Sequence, residues 1–236
     1  MKKHMKVLSW FIGLAIVIFL VQLPKHKGEM TWNSFPQPLA GKVIVIDPGH
    51  GGPDGGASGK NNTSEKEIAL QVAEQTRDYL QQAGALVYLT RETDKDLAGD
   101  TAGYSNRKSV DIRNRLAFIE KKNADLYVTI HLNAIPQTQW SGAQTFYYPS
   151  KSENKQLAEH IQGEMVRNLE NTDRKALEKN GVYLLKHAET PGALVEIGFL
   201  SNEQEEKLLQ NEAYQKKVSA SIYQGILLSE GEKSTK

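Results

Sequence analysis

Three predicted strands each finish near a side chain that can bind a metal or carry a proton. His50 lies between glycines in VIVIDPGHGG, His131 follows the apolar run LYVTI, and Glu196 lies within the apolar stretch ALVEIGF. A single histidine after a strand is more often a polar group satisfied by hydrogen bonds than a ligand. Because ligands gather at the carboxyl ends of the strands in an α/β sheet, two such histidines favour a shared site.

A third ligand is offered by the segment TSEKEIA, which opens a predicted helix. Ser64 and Glu67 match the capping box S-x-x-E, so we expect Glu67 to cap the helix. Glu65 then occupies the first helical position. Since helical side chains lean toward the N-terminus, Glu65 can reach the loop that carries His50. The alternative interpretation is a carboxylate placed there because the helix dipole stabilises it.

Together, His50, Glu65 and His131 form a candidate zinc site with its fourth position open to water. We expect one Zn²⁺ per chain. Zinc lowers the pKa of bound water toward about 7, which supplies hydroxide at neutral pH. The chain has no cysteine, which excludes thiolate metal sites, a cysteine nucleophile and disulfides.

Glu196 is the candidate proton carrier for hydrolysis. Its apolar neighbours should raise its pKa toward a useful range, although a salt-bridged or helix-capping carboxylate is the alternative. Asp47 is predicted to orient an imidazole through a hydrogen bond. Gly49, Gly51 and Gly52 are expected to let the backbone turn sharply and approach the metal. A phosphate-binding loop is disfavoured because GHGGPDGG matches neither common phosphate-binding pattern.

The elements that must position these residues alternate between strand and helix. This order predicts a single layered α/β domain with a central, mostly parallel, twisted sheet flanked by helices. Polar segments 91–108 and 171–180 are predicted loops that could gate the site. Strands are predicted at 43–46, 85–90, 126–130, 142–148, 181–185 and 193–197, and helices at 64–83, 109–122, 154–169, 203–210 and 213–228.

The N-terminus has the features of an export signal. The basic MKKHMK precedes Val7–Leu23, 17 residues without charge, which as a helix would span roughly 25 Å, at the short end for a membrane crossing. No A-x-A-like site follows, so we favour an uncleaved anchor at residues 1–23 over a cleaved signal. A buried core helix is the remaining alternative. The positive-inside rule places the rest of the chain outside the cytoplasm.

The remaining chain is divided by composition and charge. Residues 24–41 contain three prolines and are predicted to be a tether, followed by a domain at 42–230 and a short tail at 231–236. Without residues 1–29, which hold five Lys/Arg and one Asp/Glu, 24 basic residues stand against 27 acidic ones, a net charge of −3. The absence of a basic stripe argues against nucleic acid as a partner.

Four motifs in order carry a family resemblance: VIVIDPGHGG, EKE at the helix start, TIHLNA and VEIGFLSN. With LTRETD at 89–94 and Arg115, they resemble the zinc-dependent N-acetylmuramoyl-L-alanine amidases of bacterial cell walls, the Amidase_3 family. The similarity covers about residues 42–230. Within that family the chain looks most like the sporulation and germination amidases of the CwlD type.

The resemblance implies zinc held by His50, Glu65 and His131, with Glu196 as the catalytic glutamate. It implies peptidoglycan as substrate, cut at the amide between the lactyl group of N-acetylmuramic acid and L-alanine, in spore cortex or in vegetative wall. For the CwlD type it also implies a location between the forespore and mother-cell membranes. Arg115 and Asn133 are candidates for positioning glycan or peptide, with a structural role as the alternative.

Two other classes of protein share these features. One is a different zinc-dependent wall hydrolase, such as an endopeptidase or a sugar deacetylase. The other is a non-catalytic wall-binding protein that keeps the fold, against which the full set of His50, Glu65, His131 and Glu196 argues. The sequence identifies no activating protein partner and no oligomeric state.

Overall fold

The computed structural model describes Leu14 and residues 37–233. The predicted membrane anchor and most of the predicted tether lie outside these described residues. Within them, no helix is both long and apolar enough to cross a membrane. The strands are β1 (Val43–Pro48), β2 (Leu86–Leu89), β3 (Leu126–Asn133), β4 (Gln144–Tyr147), β5 (Leu177–Glu178) and β6 (Gly192–Phe199), and the helices are α1 (Glu65–Gln82), α2 (Tyr104–Lys121), α3 (Ser152–Leu169), α4 (Tyr183–His187), α5 (Glu203–Leu209) and α6 (Glu212–Lys233).

The strands form one sheet in the order β2-β1-β3-β6-β4-β5. The pairs β2–β1, β1–β3 and β3–β6 are parallel, and β4 lies antiparallel to β6 with β5 parallel to β4. The three strands that carry or precede the predicted site, β1, β3 and β6, are therefore direct neighbours in the middle of the sheet. This arrangement confirms the predicted α/β domain with a mostly parallel sheet.

Helices cover both faces of the sheet. Because side chains alternate along a strand, Ile44 and Ile46 pack on one face with apolar residues of α1, α3 and α6. Val45 packs on the opposite face with Ile119 of α2 and Leu184 of α4. The apolar runs of the central strands are thus explained by burial on both sides.

The predicted strand at 181–185 is wrong, because this segment forms the short helix α4. A short apolar run such as GVYLL does not distinguish a buried strand from a buried helix. In the structure Leu184 and Leu185 are buried against the α2 face of the sheet. The edge strand β5 instead lies within the predicted loop at 171–180.

Several predicted boundaries also shift. Helix α2 begins at Tyr104 rather than Ser109, which shortens the predicted loop at 91–108. Leu39 is fully buried and its backbone N–H donates to the Ala83 carbonyl, so residues 37–41 pack with the domain rather than with a tether. Helix α6 continues to Lys233, past the start of the predicted tail.

Candidate metal centre and active site

His131 and Glu196 lie inside their strands rather than at the ends, since β3 continues to Asn133 and β6 to Phe199. The two residues are register partners on neighbouring strands. Tyr127 lies four residues before His131 in β3, and Leu194 lies two residues before Glu196 in β6. Both belong to the core on the α2–α4 face. Because alternate residues of a strand share a face, both functional side chains point into the space beneath α2 and α4.

The predicted metal ligands come together. The Oε1 atom of Glu65 lies 2.9 Å from Nδ1 of His131 and 3.2 Å from Nε2 of His50. One ligand atom from each of the three residues lies within 4.8 Å of the others. Bonds of about 2.0–2.1 Å in a tetrahedral zinc site separate ligand atoms by roughly 3.4 Å. The two imidazoles and the carboxylate therefore fit a zinc ion with small side-chain adjustments.

Glu65 is fixed by hydrogen bonds from the backbone. Its Oε1 accepts from the Leu132 N–H at 2.9 Å and its Oε2 from the Ala57 N–H at 2.6 Å. The predicted capping box is not formed, because the Ser64 side chain makes no hydrogen bond to the helix N-terminus. The side chain of Glu65 is only 3% exposed, so the carboxylate is held rigidly at the centre of the site.

The loop after β1 approaches the site too closely for most side chains. A Cβ atom on Gly49 would lie 2.3 Å from Cε1 of His131, and one on Gly56 would lie 2.5 Å from Oε2 of Glu65. His50 itself has φ +60, in the left-handed region that non-glycine residues rarely adopt. Gly51 and Gly52, which were expected beside the metal, instead approach the backbone of Lys95 and Asp96.

The electrostatics of the cluster favour a cation. Burial alone would raise the pKa of Glu65, but hydrogen bonds with His131 and His50 bring it well below its usual range. Burial lowers the pKa of His50, but contacts with Asp54 and Glu65 outweigh this and raise it to about 9. The same carboxylates that stabilise a proton on His50 would stabilise a metal ion bound to it.

Asp54 makes the imidazole contact that was expected of Asp47. Its Oδ2 lies 2.9 Å from Nδ1 of His50, although the ring nitrogen is not aligned for a full hydrogen bond. Lys108 and Tyr104 of α2 hold Asp54 in turn. The sequence signal is the position of Asp54 four residues after His50 in GHGGPDGG, a segment in which a role is predicted only for the glycines and His50.

The prediction for Asp47 is wrong, because its carboxylate faces Arg115 rather than an imidazole. Arg115 donates to Asp47 at 2.8 Å and to the carbonyls of Pro48 and His50 at 2.8 and 2.5 Å. Thr90 donates to Oδ1 of Asp47 at 2.5 Å, and Thr129 donates to Oδ2 at 2.7 Å. Asp47 thus fixes the backbone under His50 through Arg115.

Arg91, from the LTRETD motif, supports the same loop. It is 1% exposed and donates to the carbonyls of Pro48, Gly49 and Lys66. These bonds connect the loop after β1 with the first turn of α1. The segment that carries His50 is therefore fixed relative to the helix that carries Glu65.

Glu196 has the environment predicted for a proton carrier. Burial raises its pKa above the ordinary value. Its Oε2 is buried without a hydrogen-bond partner among the described residues, and its Oε1 lies 3.8 Å from Nζ of Lys179. Buried carboxylates are normally hydrogen-bonded, so the free oxygen is available to a substrate or a water molecule.

The two imidazoles and Glu196 share one cavity of about 400 Å³. Arg115 also lines it, but its guanidinium is occupied by Asp47, Asp111 and backbone carbonyls. Glu65 and Asn133 are not among the lining residues. The walls are formed by β-sheet residues, by the loops after β1 and β5, and by α2 and α4, namely Asp47, Gly49, His50, Asp54, Lys108, Asp111, Ile112, Arg115, Thr129, His131, Lys179, Gly181, Val182, Tyr183, Leu184, Leu194 and Glu196.

Comparison with known proteins identifies the family. The N-acetylmuramoyl-L-alanine amidase family (Amidase_3) matches residues 44–227. The germination-specific N-acetylmuramoyl-L-alanine amidase of Bacillus subtilis (strain 168) is 51% identical over 228 residues, which cover 96% of this chain and 95% of the relative.

Solved structures agree with the sequence match. The CwlD amidase from Clostridioides difficile, solved in complex with the GerS lipoprotein, superposes with a TM-score of 0.79 at 40% identity and covers 83% of this chain and 100% of its own. The catalytic domain of the amidase CwlV from Paenibacillus polymyxa has a TM-score of 0.67 at 30% identity, covering 78% and 96% of the two chains. This chain therefore belongs to the N-acetylmuramoyl-L-alanine amidase family and is a peptidoglycan amidase.

Proposed function

We propose that this amidase is zinc-dependent and acts on spore-cortex peptidoglycan, where it hydrolyses the amide between the lactyl group of N-acetylmuramic acid and L-alanine. The observation that carries the proposal is the convergence of His50, Glu65 and His131, with ligand atoms within 4.8 Å of one another. Both imidazoles line the cavity that also contains Glu196. An imidazole pair with one carboxylate is the donor set of several catalytic zinc sites.

In this proposal His50, Glu65 and His131 hold the ion. Zinc at such a site supplies Lewis-acid chemistry, which polarises a carbonyl and makes water more acidic. The fit is supported by the crowding of Glu65 Oε1 against both imidazoles at 2.9 and 3.2 Å. The ligand positions are maintained by the backbone hydrogen bonds to Glu65 and by the loop contacts of Arg91 and Arg115.

Glu196 carries the proton. Its carboxylate accepts a proton from the attacking water while the water oxygen bonds to the lactyl carbonyl carbon. Glu196 then donates that proton to the L-alanine nitrogen as the C–N bond breaks, which yields a muramoyl carboxylate and a free amine. A raised pKa suits both roles, because the group must bind and release a proton near neutral pH.

Cortex as the substrate is supported by the relatives. The Bacillus subtilis protein at 51% identity is named as germination-specific, and the match covers 95% of its length. We also propose that the segment Val7–Leu23 exports this chain and anchors it, so that the domain acts outside the cytoplasm, between the forespore and mother-cell membranes. The tether then gives the domain reach to the wall.

The test is mass spectrometry of the muropeptides released from purified cortex and from vegetative sacculi. We expect intact stem peptides with a free L-alanine amine, released faster from cortex, lost with a chelator and restored by Zn²⁺. Release of peptide fragments or of acetate would instead identify an endopeptidase or a deacetylase. Equal release from both walls would contradict cortex preference, and activity that survives complete metal removal would contradict zinc dependence.

A further inference from the structure

We propose that a groove between α2 and α4 binds the peptide part of the substrate and that Arg113 binds a carboxylate of that peptide. The groove is defined by Ser109, Ile112, Arg113 and Tyr183. This inference deepens the proposed function, since it assigns the two sides of the scissile amide to different parts of the molecule.

The groove continues the active-site cavity. It has a volume of about 220 Å³ and shares Ile112 and Tyr183 with the cavity of about 400 Å³ that contains His131 and Glu196. The two shared side chains come from the facing helices α2 and α4. A chain held at the reactive end can therefore pass between Ile112 and Tyr183 and leave along α2.

The periodicity of α2 explains why some of its residues line the active-site cavity and others line the groove. Lys108, Ile112 and Arg115 are spaced at i, i+4 and i+7, and they line the active-site cavity. Ser109 and Arg113 are spaced at i and i+4 on the adjacent stripe, which lines the groove. Ile112 lies between the two stripes and contributes to both.

The charges distinguish the groove from the reactive end. Three of the four acidic residues that line the active-site cavity are engaged by cations: Asp47 and Asp111 by Arg115, and Asp54 by Lys108. The fourth, Glu196, lies at the reactive end. Arg113 is exposed, its Nε donates to the Ser109 carbonyl at 3.1 Å, and no carboxylate of the described residues pairs with it. An unpaired guanidinium is suited to bidentate binding of a carboxylate.

The groove walls favour a peptide over a glycan. Tyr183 is 40% exposed, and its ring lies 4.3 Å from that of His187. Ile112 and Tyr183 offer apolar contact to the aliphatic part of a peptide. A carboxylate can form a bidentate, charge-assisted pair with a free guanidinium, whereas a neutral sugar offers only hydroxyl acceptors. Because the stem peptide carries carboxylates, charge complementarity assigns the groove to the peptide.

The experiment compares two synthetic muramoyl peptides, one with free carboxylates and one in which every carboxylate is converted to a primary amide. We expect Arg113→Gln to lower kcat/KM about tenfold on the carboxylate substrate, mainly through KM, and less than twofold on the amide. Arg113→Lys should recover part of the loss, because it keeps the charge without the bidentate geometry. Arg167→Gln is the matched control, since Arg167 is an exposed arginine of α3 that pairs with Glu164.

A second readout separates the groove from the zinc-dependent reaction. Binding of the free peptides, measured by calorimetry on wild-type and Arg113→Gln protein, requires no turnover. Weaker binding of the carboxylate peptide alone by the variant supports the groove even if hydrolysis proves independent of zinc or of cortex. Equal binding by both proteins, or an equal loss of kcat/KM on both substrates, would overturn the groove while leaving the amidase reaction intact.

Discussion

Two buried charge clusters lie at the same edge of the sheet, and they differ in how completely their polar atoms are satisfied. In the first, Asp47, Asp111 and Arg115 bind one another, with Thr90 and Thr129 completing the Asp47 carboxylate. Every charge of this network has an opposite partner within 3 Å. We call it the support network, because its remaining bonds go to the backbone carbonyls under His50.

The second cluster, called here the reactive cluster, consists of His50, Glu65, His131 and Glu196. Its acceptors are crowded together, and Oε2 of Glu196 is buried without a partner among the described residues. Buried polar atoms without partners cost free energy. In these two clusters, the fully bonded carboxylates of Asp47 and Asp111 hold the structure, whereas the unpartnered oxygen of Glu196 lies where the reaction is proposed.

The largest effect is expected from Glu196→Gln in the reactive cluster. This change removes the proton carrier but keeps the shape, so we expect kcat to fall more than about 10³-fold, equivalent to roughly 4 kcal/mol, while zinc stays bound and Tm does not fall. The measurements are amidase turnover, metal content and thermal unfolding. Glu203→Gln, at an exposed position of α5, is the control and should keep wild-type activity. Near-normal turnover in Glu196→Gln would remove Glu196 from the mechanism.

The next effect is expected from Asp47→Ala in the support network. It removes one of the two carboxylates that pair with the buried Arg115 and leaves the Thr90 and Thr129 hydroxyls without their acceptor. This should cost about 3–5 kcal/mol in the free energy of unfolding. Asp78→Ala, an ion-paired aspartate whose side chain is 57% exposed, should change stability by no more than about 0.5 kcal/mol. Denaturant unfolding measures both. If the two variants were equally stable, Asp47 and its ion pair with Arg115 would not contribute measurably to the stability of the fold.

This loss should also depend on pH. Burial would raise the pKa of Asp47, but Arg115 and the hydrogen bonds from Thr90 and Thr129 bring it below its ordinary value of 3.8. A folded-state pKa below the unfolded-state value stabilises the protein above about pH 4, and this contribution is lost as the pH falls through the folded-state pKa. The difference between wild type and Asp47→Ala should therefore shrink in acid.

The smallest effect is expected from Asp54→Asn, since Asp54 belongs to neither cluster. It contacts His50 without being a ligand, and loss of such a partner typically lowers metal affinity about 10- to 100-fold. Zinc titration against a competing chelator measures the change, and Asp100→Asn in an exposed turn is the control. An unchanged zinc Kd would show that the Asp54 contact has no effect on the metal.

The sequence predicted the reactive cluster better than the support network. His50, His131 and Glu196 could be found because apolar strand patterns place them near one sheet edge, and Glu65 because it opens the helix that follows β1. In the support network, Thr90 and Thr129 lie 43 and 82 residues from Asp47, and no local pattern encodes these contacts. The sequence therefore assigns Asp47 to an imidazole. The contact of Asp54 with His50 is local, four residues apart, but the sequence does not show that the turn brings the two side chains together.

Fold class and most elements were predictable from hydrophobic periodicity, whereas α4 was not. Its five residues are too few to show a helical period, and Leu184 and Leu185 are adjacent buried residues, as in a strand buried on both faces. What decides the conformation is the space beside α2 on the sheet, which is a tertiary property. This helix also forms one wall of the cavity, so the error concerned the part of the site that meets the substrate.

The central position of β1, β3 and β6 has a consequence for when the active site forms during folding. Residues 50, 65, 131 and 196 meet only after strands far apart in the chain have paired, and such long-range parallel pairing forms slowly. A chain that has not completed this pairing therefore has no assembled catalytic apparatus, so hydrolytic competence depends on completed folding.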